Sequence, residues 1–196
     1  MNLDNVPLKL IFDFPTQQWV LSIVVGINYA KILSSISFHL DNHNRTKFYL
    51  PYILVFIEIF LLNFTCWHSA SSLYEALEDK KLLFFIRATG DFLPTIYILH
   101  FLPKDGENVD GYLDLKALYY RSKRFRPFIY LIYVCTMIIT QILSLESNTE
   151  IYRFHATTFI VQFIIFIAVL KSDNFIVLVI AHTMAVMNLI IFLIYF

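Results

Sequence analysis

Six apolar stretches follow one another along this chain and leave room for little except short connections. A helix that crosses the hydrocarbon core of a bilayer needs about 20 apolar residues, which each stretch approaches or exceeds. Because a membrane-spanning backbone must satisfy its own hydrogen bonds, such stretches form helices. The sequence therefore predicts an all-α polytopic transmembrane helix bundle of six spans, at residues 18–39, 49–74, 82–102, 127–145, 154–170 and 175–196.

The composition does not fit an ordinary soluble domain. Hydrophobic residues make up 58% of the chain and charged residues 15%, whereas soluble domains carry about 45–50% apolar and about 25% charged residues. Since the spans consume most of the 196 residues, residues 1–196 are interpreted as a single membrane domain. The formal net charge is zero, so no overall field favours nucleic acid as a partner.

The fifth stretch is short, and only Lys171-Ser-Asp-Asn174 separates it from the sixth. A single helix over residues 154–196 would be much longer than the bilayer is thick. We therefore predict a helical hairpin with its turn at residues 171–174.

Lysine and arginine in the short connections predict the orientation of the bundle, because cytoplasmic loops carry an excess of these residues. With six spans, one side collects Lys9, Lys80, Lys81 and Arg153. The other side is more basic and is predicted to be cytoplasmic, with both termini outside. Its residues are Arg45, Lys47, Lys104, Lys116, Arg121, Lys123, Arg124, Arg126 and Lys171.

The longest connection, residues 103–126, begins with turn-forming residues and ends with a basic segment. Residues 112–126 can form one amphipathic helix, and such a helix next to a membrane span lies in the headgroup layer. We therefore expect anionic lipid headgroups to be bound there rather than nucleic acid. The predicted lipid-contact residues are Arg121, Lys123, Arg124 and Arg126.

Three segments resemble a family of small, uncharacterised bacterial multi-pass proteins. They are Gly26-Ile-Asn-Tyr-Ala-Lys31-Ile-Leu, Cys66-Trp67-His68-Ser69 and Leu113-Asp114-Leu-Lys-Ala-Leu-Tyr119-Tyr120-Arg-Ser-Lys-Arg124. The resemblance covers about the first two thirds of the chain. It implies a bacterial inner membrane, and it brings no activity, cofactor or catalytic residue with it.

Charged side chains inside membrane spans are rare and costly unless they are paired or hydrated, so they mark functional candidates. In the first span, Asn28 and Lys31 belong to a polar stripe at helical spacing. Lys31 and Glu58 lie at similar distances from the same end of two consecutive spans, which run antiparallel. The sequence therefore predicts an interhelical ion pair between Lys31 and Glu58.

The third span contains Arg87 and Asp91 at i,i+4 spacing, which predicts an ion pair on one helix face. Pro94 removes a backbone donor and frees the carbonyl of Gly90, so we expect a kink there. Non-ideal backbone at membrane depth is tolerated only inside protein or beside water. This span is therefore the best candidate for a functional helix.

Weaker polar groups occur in the remaining spans. His182 lies in the sixth span at a depth similar to that of Glu58. The alternative to a polar pathway is structural, because polar side chains also hold membrane helices together through hydrogen bonds. We favour this structural reading for Thr136, Thr140, Gln141, Thr158 and Gln162.

No catalytic motif or metal-ligand spacing is recognisable, so no catalytic residue, metal site or cofactor is predicted. Two functional classes remain open. In one, the bundle or a homo-oligomer conducts protons, ions or a small solute along Lys31, Glu58, Asp91 and His182. In the other, a scaffold or sensor contacts lipid or a partner membrane subunit through residues 119–126. A lesser alternative is a lipid-directed enzyme that uses Asp114 with Arg121 or Arg124.

Overall fold

A computed structural model of the chain describes residues 14–77, 81–103, 113–144 and 149–195, and these are almost entirely helical. The predicted all-α class is confirmed, and each predicted span coincides with a helix or with two consecutive helices. The helices are α1 (Phe14–Asp41), α2 (Leu50–Leu77), α3 (Lys81–Asp91), α4 (Leu93–Phe101), α5 (Leu115–Ser122), α6 (Phe125–Ser144), α7 (Thr149–Lys171) and α8 (Phe175–Tyr195). A short 3-10 turn, His43–Arg45, and two short strands, β1 (Thr46–Lys47) and β2 (Leu113–Asp114), complete the fold.

Four apolar helical stretches are long enough to cross a membrane: Trp19–Asp41, Leu50–Trp67, Leu82–Phe101 and Phe175–Ile194. Two shorter apolar stretches, Pro127–Thr140 and Ile160–Lys171, lie in α6 and α7. The protein is thus a multi-pass integral membrane protein with four candidate spans. The lengths of these apolar stretches do not establish six spans.

The predicted break in the third span is present at Phe92, between α3 and α4. Pro94 lies in the first turn of α4, where its missing N–H costs no internal hydrogen bond. The predicted hairpin is also present, since α7 ends at Lys171 and α8 begins at Phe175. Asn174 caps α8 by accepting a hydrogen bond from the Ile176 N–H at 2.9 Å.

The helices α2 and α8 form the centre of the bundle and make the most extensive contact between any two described elements. The broken helix α3–α4 packs on α6, and α7 packs on both α6 and α8. Helix α1 is peripheral: 28% of its span is buried, compared with 50% of the α2 span.

Three connections meet at one end of the bundle, which we call the loop end. Strands β1 and β2 pair in parallel there, with Thr46 opposite Leu113. Helix α5 follows β2 directly, and Lys123 just after it donates to the Ser172 carbonyl in the α7–α8 turn at 2.6 Å. The charge pattern predicts these three connections on one side, and they do lie together.

Candidate functional site

Three polar side chains from three helices, two of them buried and the third half-buried, form one hydrogen-bonded row, which we call the Glu–His–Tyr row. Glu58 Oε1 on α2 lies 2.6 Å from Nδ1 of His182 on α8. The Nε2 atom of the same imidazole lies 2.8 Å from the hydroxyl of Tyr119 on α5. His182 is 4% exposed and Tyr119 is fully buried, whereas the Glu58 side chain is 12% exposed, so the row is enclosed at its Tyr119 end and partly accessible at Glu58.

The depths of Glu58 and His182 follow from the helices that carry them. Both α2 and α8 begin at the loop end, and they pack side by side. Glu58 follows Leu50, the first residue of α2, by eight positions, and His182 follows Phe175, the first residue of α8, by seven. At a rise of about 1.5 Å per residue, both side chains lie about 10–12 Å into the bundle.

Tyr119 reaches this depth because α5 buries one face against the end of the bundle. The buried residues recur at i, i+3, i+4 and i+7, and they are Leu115, Leu118, Tyr119 and Ser122. Asp114 fixes the start of α5, since its carboxylate accepts hydrogen bonds from the N–H groups of Lys116 at 2.9 Å and Ala117 at 3.1 Å. An N-cap of this kind stabilises a helix by about 1 kcal/mol.

A small cavity adjoins the row on the side away from Tyr119. Its volume is about 30 Å³, and one water needs about 10–15 Å³. The amide Nε2 of Gln162, a residue only 5% exposed, has no hydrogen-bond partner among the described residues. The lining residues are Glu58, Tyr97, Pro127, Gln162, Ile165, Phe166, Val169, His182 and Ala185. Water bound there would meet a carboxylate, an imidazole and an unpaired amide.

Aromatic side chains separate the row from the loop end. The Tyr119 ring packs on those of Tyr49 and Tyr120, with both pairs of centroids 5.3 Å apart. The Tyr120 hydroxyl donates to the carbonyl of Asp173 at 3.3 Å. Burial raises the pKa of Tyr49, which precedes α2, and its hydrogen bond with Tyr120 raises that pKa further. The Tyr49 phenol therefore stays protonated and remains able to donate a hydrogen bond.

A second buried polar centre lies on α3. The predicted Arg87–Asp91 pair is confirmed: Arg87 Nη2 is 3.0 Å from Asp91 Oδ1, and its Nε donates to Oδ2 at 3.0 Å. Arg87 is fully buried and Asp91 is 2% exposed. The Cys66 thiol of α2 donates to Asp91 Oδ1 at 3.1 Å. We call Arg87, Asp91 and Cys66 the Arg–Asp centre.

Gly90 allows α3 to approach α6 closely beside this centre. A Cβ atom at Gly90 would lie 2.4 Å from Oγ1 of Thr136, which is too close for any non-glycine residue without movement. Thr136 donates to the Tyr133 carbonyl and Thr140 donates to the Thr136 carbonyl, at 2.7 and 2.8 Å. The structural reading fits these two threonines, whereas the side chains of Gln141 and Thr158 lie outside the described residues.

The predicted Lys31–Glu58 pair is wrong. Lys31 is exposed and makes no ion pair with any described residue, while Glu58 is paired with His182. The reason is the rotation of α1 about its axis. Its buried strip is narrow, so Lys31 falls beside it on the outer surface. The strip consists of Leu21, Val25, Asn28, Ile32 and Ser35.

Asn28 does join the interior, through partners that the sequence does not suggest. Its Nδ2 donates to Asn63 Oδ1 at 2.8 Å and to Thr95 Oγ1 at 2.9 Å. Asn28 and Asn63 are each 1% exposed. This cluster fastens the peripheral helix α1 to α2 and α4.

The four predicted lipid-contact residues differ in exposure and in the groups that they contact. Arg121 and Arg124 are exposed, and the Nη2 of Arg121 reaches the carbonyls of His100 and Leu102 at 3.4 and 3.3 Å. Lys123 is only 6% exposed and pairs with Asp173, which corrects its assignment as a lipid contact. The side chain of Arg126 lies outside the described residues.

Within the described parts of the chain, no three His, Cys, Asp or Glu side chains come together as a metal site requires. No protein-family model, no curated protein and no solved structure matches this chain. The resemblance to small bacterial multi-pass proteins therefore identifies no family. What stands of it is the multi-helical architecture with four candidate membrane spans.

Proposed function

We propose that this protein crosses the membrane six times and conducts protons along the Glu–His–Tyr row. The observation that carries the proposal is an imidazole, that of His182, with a different partner on each nitrogen. Such a ring can accept a proton at one nitrogen and release one at the other. Ionisable groups inside a membrane bundle form the proton relays of pumps and transporters.

The positions of the helix ends support six crossings. Strand β1, which joins α1 to α2, pairs with β2 at the loop end. The end of α4 lies there too, because the Leu102 carbonyl accepts from Arg121, in the last turn of α5. The α7–α8 turn is held at the same end by Lys123. The chain therefore leaves the loop end in α2 and returns to it through α3 and α4. It leaves the loop end again in α6 and returns in α7.

Proton transfer suits the row better than the passage of a hydrated ion or a solute. The cavity beside Glu58 has room for about two waters by the volume that each requires, and a hydrated ion carries more waters than that. Glu58, His182 and Tyr119 each bear a transferable proton or a site that accepts one. The path proposed here runs from the phenols at the loop end through His182 to Glu58 and the cavity water.

The other intramembrane charges are outside this path. Arg87 and Asp91 bind each other through two contacts of 3.0 Å, so Asp91 serves the fold. Lys31 faces outward. Glu58 and His182 therefore conduct in this proposal, and Lys31 and Asp91 lie outside the path.

The test is proton flux in liposomes that contain the purified protein, followed with an internal pH dye under a potassium gradient. Glu58→Gln keeps the side-chain size and removes the carboxylate, so we expect at least a tenfold loss of flux, the lower range for loss of one proton-transfer group. His39→Gln is the matched control, because His39 is an imidazole on α1 whose hydrogen-bonding partner is Ser35, outside the row. Flux that survives Glu58→Gln, or no flux in the wild type, would overturn the proposal.

A second candidate, a scaffold or sensor that binds anionic lipid at the loop end, is favoured by the exposed Arg121 and Arg124. Two arginines beside a membrane attract anionic headgroups at about 1 kcal/mol each. In this case, Arg121→Gln with Arg124→Gln should reduce the enrichment of anionic lipid that co-purifies with the protein. Unchanged co-purified lipid would remove this candidate.

A further inference from the structure

Lys31 lies at the centre of the α1 span and on its outer surface. The span runs from Trp19 to Asp41, so Lys31 is twelve positions from one end and ten from the other. At about 1.5 Å per residue, the nearer end is about 15 Å away along the helix. A lysine near a helix end can extend its ammonium group to the headgroups, but one at the centre is poorly placed to do so.

An ammonium group facing lipid at this depth is strongly unfavourable, and such groups normally pair with another group inside the membrane. The described spans contain three carboxylates, and none is placed to pair with Lys31: Asp41 lies at the end of α1, ten residues away. Glu58 pairs with His182 and Asp91 pairs with Arg87. No carboxylate in the described spans therefore compensates the outward-facing charge of Lys31, which leaves that charge available to a partner in the membrane.

A second copy of this chain is a poor source of that charge. Two copies that met through α1 would bring one Lys31 towards the other, and like charges repel. Glu58 and Asp91 of the second copy would be paired within that copy, as in the first. Charge complementarity thus favours a different protein.

The outer surface of α1 is open to a neighbouring helix. Around Lys31, the side chains of Ile23 and Ile27 are 59% and 50% exposed, and Ala30 is exposed as well. Apart from its chain neighbours and the backbone of its own helix, nothing would lie within 4 Å of a Cβ at Gly26. A helix can pack closely on a surface of small and apolar residues such as this one.

We infer that the outer surface of α1 binds a transmembrane helix of another membrane protein, and that a glutamate or aspartate near the middle of that helix pairs with Lys31. The apolar neighbours of Lys31 contact the same helix, and the ion pair fixes its depth. This interaction is separate from the Glu–His–Tyr row.

The test uses designed single-span peptides as probes. One is a leucine- and alanine-rich helix with a central glutamate, and its matched control carries glutamine there. Fluorescence energy transfer between the labelled peptide and the labelled full-length protein in liposomes measures binding at pH 8. We expect the wild type to bind the glutamate peptide about tenfold more tightly than the glutamine peptide, above the gain from a neutral interhelical hydrogen bond.

The variant Lys31→Met should lose this preference while it remains folded, because it removes an unpaired charge and leaves the interior untouched. Lys31→Glu should instead prefer a peptide with a central lysine. Equal binding of both peptides by the wild type, or a glutamate preference that persists in Lys31→Met, would overturn the inference.

Two further measurements distinguish the inferred partner helix from a second copy of the chain and from attraction through lipid. If donor- and acceptor-labelled copies of the protein associate with each other and Lys31→Met abolishes this, the surface binds a second copy and the inference is wrong. Moving the glutamate of the peptide two turns towards one end should remove its tighter binding, since Lys31 is central. If the displaced glutamate binds as tightly as the central one, the effect is a lipid-mediated attraction and the inference is wrong. Proton flux should be unchanged in Lys31→Met, so this inference and the proposed function fail independently.

Discussion

The Arg–Asp centre and the Glu–His–Tyr row each pair a carboxylate with a buried basic side chain, yet they are built differently. Arg87 and Asp91 lie one turn apart on α3 and bind each other through two contacts, and the Cys66 thiol of α2 adds a further contact to Asp91. The row joins three separate helices, and its imidazole has one hydrogen-bonded neighbour on each side. A cavity adjoins the row. Arginine keeps its proton in proteins, so Arg87 cannot relay one, whereas the imidazole of the row can accept a proton on one side and release one on the other.

The two centres also differ in what their loss should cost. Removing one partner of a buried ion pair leaves the other charge uncompensated, which is among the largest penalties known for a single substitution. Removing one member of the row leaves groups that a cavity water can still reach. The comparison therefore predicts that variants of the first centre affect folding and variants of the second affect flux.

The largest effect is expected from Asp91→Ala, which leaves the fully buried Arg87 without its partner. The free energy of unfolding should fall by about 3–5 kcal/mol, seen as a lower melting temperature in detergent and a lower membrane yield. Replacing both residues, as Arg87→Met with Asp91→Leu, should restore most of the stability and retain proton flux per folded molecule. A double variant that folds but conducts no protons would place Asp91 in the pathway after all.

His182→Gln tests the other side of the comparison. We expect at least a tenfold loss of flux, because glutamine cannot carry a proton between two partners. The free energy of unfolding should fall by only about 1–2 kcal/mol, since the amide can replace part of the lost hydrogen bonding. A melting temperature that falls as far as in Asp91→Ala would mean that the row is as structural as the Arg–Asp centre, and the distinction between them would fail.

Gly90→Ala sharpens the comparison by testing how tightly the Arg–Asp centre is packed. The added methyl group would meet Thr136 Oγ1 at 2.4 Å, and overpacking of this kind costs about 1–3 kcal/mol. Thr136→Ala removes that oxygen, so the double variant should recover part of the melting temperature. Gly26→Ala is the matched control, because nothing beyond its chain neighbours and its own helix backbone lies within 4 Å of its Cβ position. Equal losses of melting temperature in the two glycine variants would contradict the close approach of α3 to α6.

The sequence predicted most accurately the features that depend on neighbours along the chain. Apolar length gives the positions of the helices, and Pro94 gives the break at Phe92. The Arg87–Asp91 pair is also local, because i,i+4 spacing on one helix already brings the two side chains together. No knowledge of other helices is needed for any of these.

The features that the sequence missed depend on how separate helices are rotated and docked. The depth argument placed both Lys31 and His182 near Glu58, but depth does not determine which way a side chain points. The narrow buried strip of α1 turns Lys31 outward. Tyr119 was counted as part of a basic interfacial helix, although the spacing of Leu115, Leu118, Tyr119 and Ser122 already indicated a face for burial.

The smallest effect is expected from Asp114→Ala, which touches the row only through α5. Loss of the two N-cap hydrogen bonds should lower the free energy of unfolding by about 1 kcal/mol. Because α5 positions Tyr119 against His182 at 2.8 Å, a less ordered α5 should also reduce flux by about two- to fivefold, in proportion to the docked fraction. Asp114→Asn retains a capping side chain and should preserve both properties. If Asp114→Ala lowers stability while flux stays unchanged, Tyr119 is a packing neighbour of His182, and the row that moves protons ends at the imidazole.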